Sequence, residues 1–212
     1  MTQNMNKDKK EGGATPHCIA ETLEVLRKGG VILYPTDTVW GLGCDASDPE
    51  AVARIFSIKK RSDSKSLVLL ASDLDMVARF VKEVPDMAVQ LVEVNDRPMT
   101  IVYPGAIAAG PGEPADRHFL AHNVVAEDGS VGIRIPKMDF CIDLVRRFGR
   151  PIVSTSANIS GEPTPKTFAE IAEQIKDAAD YIVDPALESG ATGQSSSIIK
   201  VGVDSEIQII RK

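Results

Sequence analysis

The chain has 212 residues and a formal charge of −6, with 43% hydrophobic, 25% charged and 5% aromatic residues. That length suits one domain around one buried core, and the composition excludes a disordered, fibrous or membrane chain. The acidic balance excludes a surface coated in cations for nucleic acid, leaving room only for a local basic cleft.

Taken in order, "MTQNMNKDKKEGGATP" is polar and lacks an apolar run, so residues 1–14 read as a flexible arm and 15–212 as the folded domain. Lys7, Lys9 and Lys10 leave an RNA-touching tail as the rival reading of the arm. "HCIAETLEVLRKGG" places Ile19, Leu23 and Leu26 at helical spacing and stops on Gly29-Gly30. "VILYP" follows as a buried strand broken by Pro35. "SDPEAVARIFSIKKR" starts a helix, either through a Ser47–Glu50 capping box or with Asp48 as cap and Pro49 in the first turn. "SLVLLAS" reads as a strand and "DLDMVARFV" as a helix, while "MAVQLVEV" fits either. "PMTIVYP", "VGIRIP", "PIVSTS", "YIVDP", "SSSIIKV" and "EIQIIRK" read as strands, with helices over "FCIDLVRRFG" and "TFAEIAEQIKDAA". The second of these carries a capping-box spacing at Thr167 and Glu170. Between "PMTIVYP" and "VGIRIP" lies a Gly/Pro-rich stretch that reads as a long loop or hairpin. The expected fold is therefore α/β, a single domain with a mixed sheet flanked by helices.

No stretch approaches the roughly 18 apolar residues of a membrane span. Cys18, Cys44 and Cys141 are odd in number and widely spaced, which suggests neither a disulfide framework nor a zinc site and fits a reducing, cytoplasmic location. His118 and His122 lie four apart with Asp116 nearby; a third ligand at suitable spacing is not evident, and no metal site is expected.

"KKRSDSKSLVLL" gathers four cations. Positions 59, 61 and 65 share one side of an extended chain, so Lys59, Arg61 and Lys65 can converge on a polyanion such as a triphosphate, while Lys60 points elsewhere and is expected to be dispensable. A solvated helix end, with cations offsetting the macrodipole, explains the same spacing. "YPTDTVWG" presents Thr36, Asp37 and Thr38 at a strand end, where open α/β sheets bind ligands, or else forms a turn satisfied by its own side chains. In "STSANISG", Ser154, Ser156 and Asn158 lie at period two and share a polar, uncharged face. A strand-linked GxGxxG and a GxxxxGK[ST] are both absent.

"YPTDTVWGLGCDA", "KKRSDSKSLVLL", "VGIRIP" and "STSANISG" resemble, in order and spacing, the YrdC/Sua5 family of L-threonylcarbamoyladenylate synthases. The resemblance runs from about Gly30 to Gly161 and is similar to the short, single-domain bacterial form. It implies a twisted, mostly open sheet with a concave basic face, and a nucleotidyltransferase making threonylcarbamoyl-AMP and pyrophosphate from L-threonine, bicarbonate and ATP. Carried over, Lys59 and Arg61 would be catalytic, and with Lys65, Ser154, Asn158 and Ser196 would bind ATP. Thr36, Thr38, Arg134 and Ser156 would form the threonine site. Mg2+ would travel with the ATP. The implied partners are a downstream transferase complex, and tRNA modified at adenosine 37. Asn95, Asp96 and Arg97 depart from the family's W-P-G-P-[LV]-T segment, with Pro98 and Thr100 in the matching places; Ser66 and Ser195 depart from its usual glycine or proline. A non-catalytic RNA-binding module of the same fold is the competing reading.

Overall fold

The computed structural model describes residues 11–60 and 67–212, with side-chain surroundings from residue 17 onward. Helix α1 (Glu11–Arg27) leads to β1 (Ile32–Tyr34) and β2 (Gly41–Gly43), and α2 (Pro49–Ile58) precedes β3 (Val68–Leu70). Helices α3 (Leu74–Phe80) and α4 (Asp86–Val94) precede β4 (Met99–Tyr103), and β5 (Val131–Arg134) is followed by α5 (Asp139–Phe148) and β6 (Ile152–Ser156). Helix α6 (Glu173–Ala178), β7 (Tyr181–Ile182), β8 (Ser197–Val201) and β9 (Ile207–Arg211) complete the chain. Among the described residues no helix is long and apolar enough to cross a membrane.

The strands form one sheet in the order β7-β1-β2-β6-β3-β5-β4-β8-β9. Its neighbours are parallel at β1·β7, β3·β5 and β4·β8 and antiparallel elsewhere. The sheet is thus mixed and open, as the alternating sequence patterns imply. Side chains alternate across a strand, so the registers divide the sheet into two faces. Leu33, Leu42, Val153, Leu69, Ile133 and Ile101 occupy one face, and all are buried in a single core with the apolar stripes of the helices. Gly41, Ser154, Ser156, Val68, Arg134, Thr100 and Ile198 occupy the other, where the polar residues gather.

Local signals decide where the elements stop. Asp48, not Ser47, caps α2: its carboxylate accepts from the Glu50 and Ala51 backbone at 2.9 and 3.1 Å, with Pro49 in the first turn. Helix α5 ends on Gly149 in the left-handed conformation, φ +85°. "MAVQLVEV" is helical as α4. Helix α1 reaches back to Glu11, earlier than the arm boundary drawn from composition. The capping box at Thr167 does not form. Residues Phe168–Glu170 make a 3-10 turn without a side-chain cap, because the Glu170 carboxylate turns away to accept from the Lys166 backbone at 2.8 Å. The Gly/Pro-rich stretch is a long loop, pinned by isolated bridges from Val81 to Ala106 and from Ala108 to Leu120.

Bulk on one strand and its absence on the next fix the β1·β2 pair. Tyr34 is fully buried, and its ring lies along Gly41 and Gly43. A Cβ on Gly43 would sit 2.7 Å from the Tyr34 ring and 2.7 Å from the Val153 carbonyl oxygen. Gly43→Ala is therefore expected to lower unfolding free energy by about 1–3 kcal/mol, read as a fall in the denaturant midpoint. An unchanged midpoint would show that the two strands are free to move apart.

Candidate active site

The chain leaves the sheet after β1 at Pro35, and the next three side chains turn inward. Thr36, Asp37 and Thr38 are all buried. The Thr36 hydroxyl donates to the Val39 carbonyl at 2.8 Å and accepts from the Thr38 backbone N–H at 3.1 Å. With that proton committed, the 2.8 Å contact between the two threonine hydroxyls has Thr38 as donor. Thr38 Oγ1 in turn accepts from Arg134 Nη2 at 3.4 Å. Arg134, at the end of β5 and also buried, pairs through Nη1 with Asp37, whose other oxygen accepts from the Lys137 backbone at 2.8 Å. The strand-end loop thus satisfies its own backbone and also ties itself to a strand from the middle of the sheet.

Lys59 departs from expectation. Both readings of the spacing, a polyanion clamp and a solvated helix end, leave its ammonium toward solvent, yet the residue is only 3% exposed. As the C-cap of α2 it sends Nζ inward, donating to the Ser156 carbonyl and, at 2.7 Å, to the Asn158 carbonyl. Asn158 Oδ1 lies 3.4 Å from the same ammonium and accepts from Ser156 Oγ at 2.6 Å. The Asn158 amide nitrogen donates to Ile159 and Glu162 carbonyls at 3.0 and 2.7 Å. Lys59 and Asn158 therefore brace the turn after β6. The cost of burying the ammonium is offset because carbonyl dipoles replace its water. Lys60, beside it, is exposed and adopts φ +48°. Arg61 and Lys65 lie outside the described residues.

A cleft of about 240 Å³ opens between these two turns, lined by Thr36, Thr38, Arg134, Ser154, Ser156 and Ser196. Six residues selected from the sequence thus come together, although they span four separated stretches of chain. Asn158 does not line it. Gly41 keeps one wall low, since a Cβ there would crowd the Thr155 carbonyl at 3.3 Å. Ser196 Oγ is 2.8 Å from Thr100 Oγ1, and the loop before it is fastened to the strand-end turn by Thr192 and Gly193 N–H groups bonding to Asp37 and Thr38 carbonyls at 3.0 and 2.8 Å. At Val68 and Ile198 the cleft adjoins a wider trough of about 840 Å³, whose walls include Val102, Val125 and Ile210 and whose rim carries Ser130. On that rim Lys200 holds Asp128 at 2.5 Å, which together with the Ser130 hydroxyl lowers the Asp128 carboxyl to about 2.

Trp40 and Arg211 are among the wall residues that sequence reasoning missed. Arg211 reaches the cleft through a register shift. Ile199 faces Ile209 but Ile198 faces Arg211, so β9 carries one extra residue. Such a bulge re-aims the side chains beyond it, turning Arg211 onto the site face, where Nε and Nη2 donate to the Ser196 carbonyl at 2.9 and 2.7 Å. Hydrophobic periodicity carries no signal for a bulge. Trp40 packs on Phe168 with ring centroids 4.9 Å apart. His118 and His122 are exposed on the long loop, where the His118 ring accepts from Arg117 at 3.3 Å. Among the described residues no group of three or more His, Cys, Asp or Glu side chains could hold a metal ion.

An open mixed sheet with hydroxyls and a buried arginine gathered at its strand ends defines an α/β domain with a polar cleft on one face. The chain belongs to the Sua5/YciO/YrdC family: the family model, described as "Telomere recombination", matches residues 24–212. Among relatives, the threonylcarbamoyl-AMP synthase of Stenotrophomonas maltophilia (strain K279a) is 34% identical over 178 residues, covering 82% of this chain and 88% of that protein. The protein of the same name from Pseudoalteromonas translucida (strain TAC 125) is 34% identical over 181 residues, covering 85% and 91%. E. coli YciO superposes with a TM-score of 0.69 at 25% identity, covering 92% of this chain and 89% of that one. P. abyssi Sua5 complexed with L-threonine superposes with a TM-score of 0.69 at 28% identity over 86% of this chain, which spans only half, 50%, of that longer protein.

Lys59→Ala takes the donor from the Asn158 carbonyl and one of two donors from the Ser156 carbonyl, which keeps the Asn158 backbone N–H at 2.9 Å, while Asn158 Oδ1 keeps the Ser156 hydroxyl. Each unsatisfied buried group costs about 1–3 kcal/mol, so the variant is expected to lose both stability in chemical unfolding and ligand binding. Lys60→Ala is expected to change neither. A Lys59→Ala protein as stable as the parent would contradict the bracing role.

Proposed function

We propose that this chain is a nucleotidyltransferase that condenses L-threonine, bicarbonate and MgATP into threonylcarbamoyl-AMP and pyrophosphate. The observation that carries the reading is the single cleft gathering Thr36, Thr38, Arg134, Ser154, Ser156 and Ser196, in a chain whose relatives are threonylcarbamoyl-AMP synthases and whose structural neighbour binds L-threonine.

The chemistry needs positioning and charge more than a protein nucleophile. The threonine amine and bicarbonate form a carbamate with loss of water. A carbamate oxygen then attacks the α-phosphorus; the new P–O bond replaces the bond to the β-phosphate, and pyrophosphate leaves with that electron pair. Two anions must meet, which is unfavourable unless fixed cations and dipoles surround them. In this reading the narrow cleft holds threonine, its carboxylate met by the Arg134 guanidinium edge that Asp37 leaves open and its hydroxyl donating to the lone pairs left on Thr38 and Ser156, with Thr36 orienting Thr38. The adjoining trough takes the nucleoside against Val102, Val125 and Ile210. Arg211, opposite Ile198 where the two volumes meet, serves the phosphates, with Ser154 and Ser196 lining the same cleft, and the family resemblance assigns Arg61 and Lys65 to the phosphates as well. Lys59 and Asn158 contribute by fixing the turn that follows β6, the strand carrying Ser154 and Ser156. Magnesium enters with the ATP phosphates as part of the substrate. In a cytoplasmic setting the adenylate passes to a separate transferase complex that modifies adenosine 37 of tRNA.

Purified protein given MgATP is expected to release pyrophosphate only when threonine and bicarbonate are both present, with a product at the mass of threonylcarbamoyl-AMP. Salt-sensitive tRNA binding without any such product would favour the non-catalytic RNA-binding reading instead. Arg211→Ala is expected to lower kcat/KM for ATP by about tenfold or more with little change in melting temperature. An unaltered kcat/KM would remove Arg211 from the phosphate site.

A further inference from the structure

Strand β9 ends the sheet, and its outer flank pairs with no other strand among the described residues. All five of its residues are exposed. Three are isoleucines, Ile207, Ile209 and Ile210 at 48%, 58% and 54%, and Val203 in the preceding turn is 57% exposed. Bare apolar edges template pairing with another chain, and natural proteins blunt them unless the edge is used.

The geometry points to a second copy of this chain, added antiparallel along β9 about a twofold axis. Two independent features select that occupant. The first is backbone parity. The Gly202 N–H donates to the Glu206 carbonyl at 2.9 Å, and the same register sets Lys200 opposite Gln208. Positions 206 and 208 therefore direct their peptide groups toward β8, while Ile207 and Ile209 direct theirs outward. A twofold axis at Gln208 places Ile207 of each copy opposite Ile209 of the other, joining outward peptide groups to outward peptide groups and stacking four isoleucines in two cross-strand pairs. The regular ladder of this register covers residues 207–209, before the bulge residue Ile210.

The second feature is charge. Strand β9 runs from an acidic end, Asp204 and Glu206, to a basic end, Arg211 and Lys212. Antiparallel pairing about the axis sets each acidic end beside the other copy's basic end, with Asp204 and Lys212 just outside the strand at the two ends. Parallel addition would set like charges together. Because Ile210 also walls the trough, the pairing would seat the second copy at its rim.

Sedimentation of the full chain over a concentration series tests this, up to about 100 µM, where weak interfaces assemble. The expected result is a particle of twice the 22.8 kDa of one chain. Ile209→Lys, on the exposed face away from the cleft, is expected to restore the single-chain mass without altering the melting temperature. Val94→Lys, at another exposed apolar residue, is expected to leave the dimer intact. Lys212→Glu weakens assembly several-fold, and adding Asp204→Lys in the same chain recovers it. A wild-type protein that stays at the single-chain mass throughout, an Ile209→Lys protein that still dimerises, or a charge reversal without recovery overturns the proposal.

Discussion

The buried pair between Arg134 and Asp37 is the constraint on which the site depends. It joins the end of β5 to the loop after β1, strands separated in the sheet by β2, β6 and β3. A charge taken out of water survives only with partners, and breaking such a pair costs about 3–5 kcal/mol because the survivor is left unpaired. Asp37 is itself held by the Lys137 backbone, and Arg134 also reaches Thr38. The strand-end hydroxyls are therefore not presented by a loose turn. They are part of a hydrogen-bonded chain that runs from β5 to Val39, and their directions are set before any ligand arrives.

The same logic explains the division of labour among the cations. Lys59 is enclosed by carbonyls of the turn after β6, Lys200 is paired with Asp128, and Arg134 with Asp37. Arg134 and Lys200 have their charge balanced by a carboxylate, Lys59 is buried at 3% exposure, and each acts first as a scaffold. Arg211 differs. Its protein partner is a neutral carbonyl, that of Ser196, so it retains the net charge an anionic ligand would feel. Tyr34, wedged between β1 and β2, adds no charge because burial pushes its phenol far above the usual range. Preorganised dipoles and a few uncompensated cations suit a step in which two anions must be brought together and one must leave.

Much of the architecture was legible because it rests on local signals. Apolar runs bounded by glycine and proline mark the strands, and Asp48 with Pro49 marks the start of α2. The polar strand ends were legible as candidates for the same reason. Long-range partnerships were not. Nothing near Lys59 in the sequence reveals that its ammonium meets residues 97 and 99 positions away, so spacing suggested a solvent-facing clamp or helix end. The Thr167 cap failed because Glu170 found a nearer donor at Lys166. Arg211 was hidden by a bulge, whose single extra residue leaves the alternation of β9 superficially intact.

The central claim is that the cleft between the two strand-end turns is where threonine and ATP meet. Trp40 is the only tryptophan in the chain and stands in the wall of that cleft, so intrinsic fluorescence reports on its occupancy. Titration with L-threonine in the presence of a non-hydrolysable ATP analogue is predicted to give a saturable change in Trp40 emission, at the affinity measured by calorimetry. Calorimetric binding with unaltered Trp40 emission would place the ligands elsewhere and contradict the account.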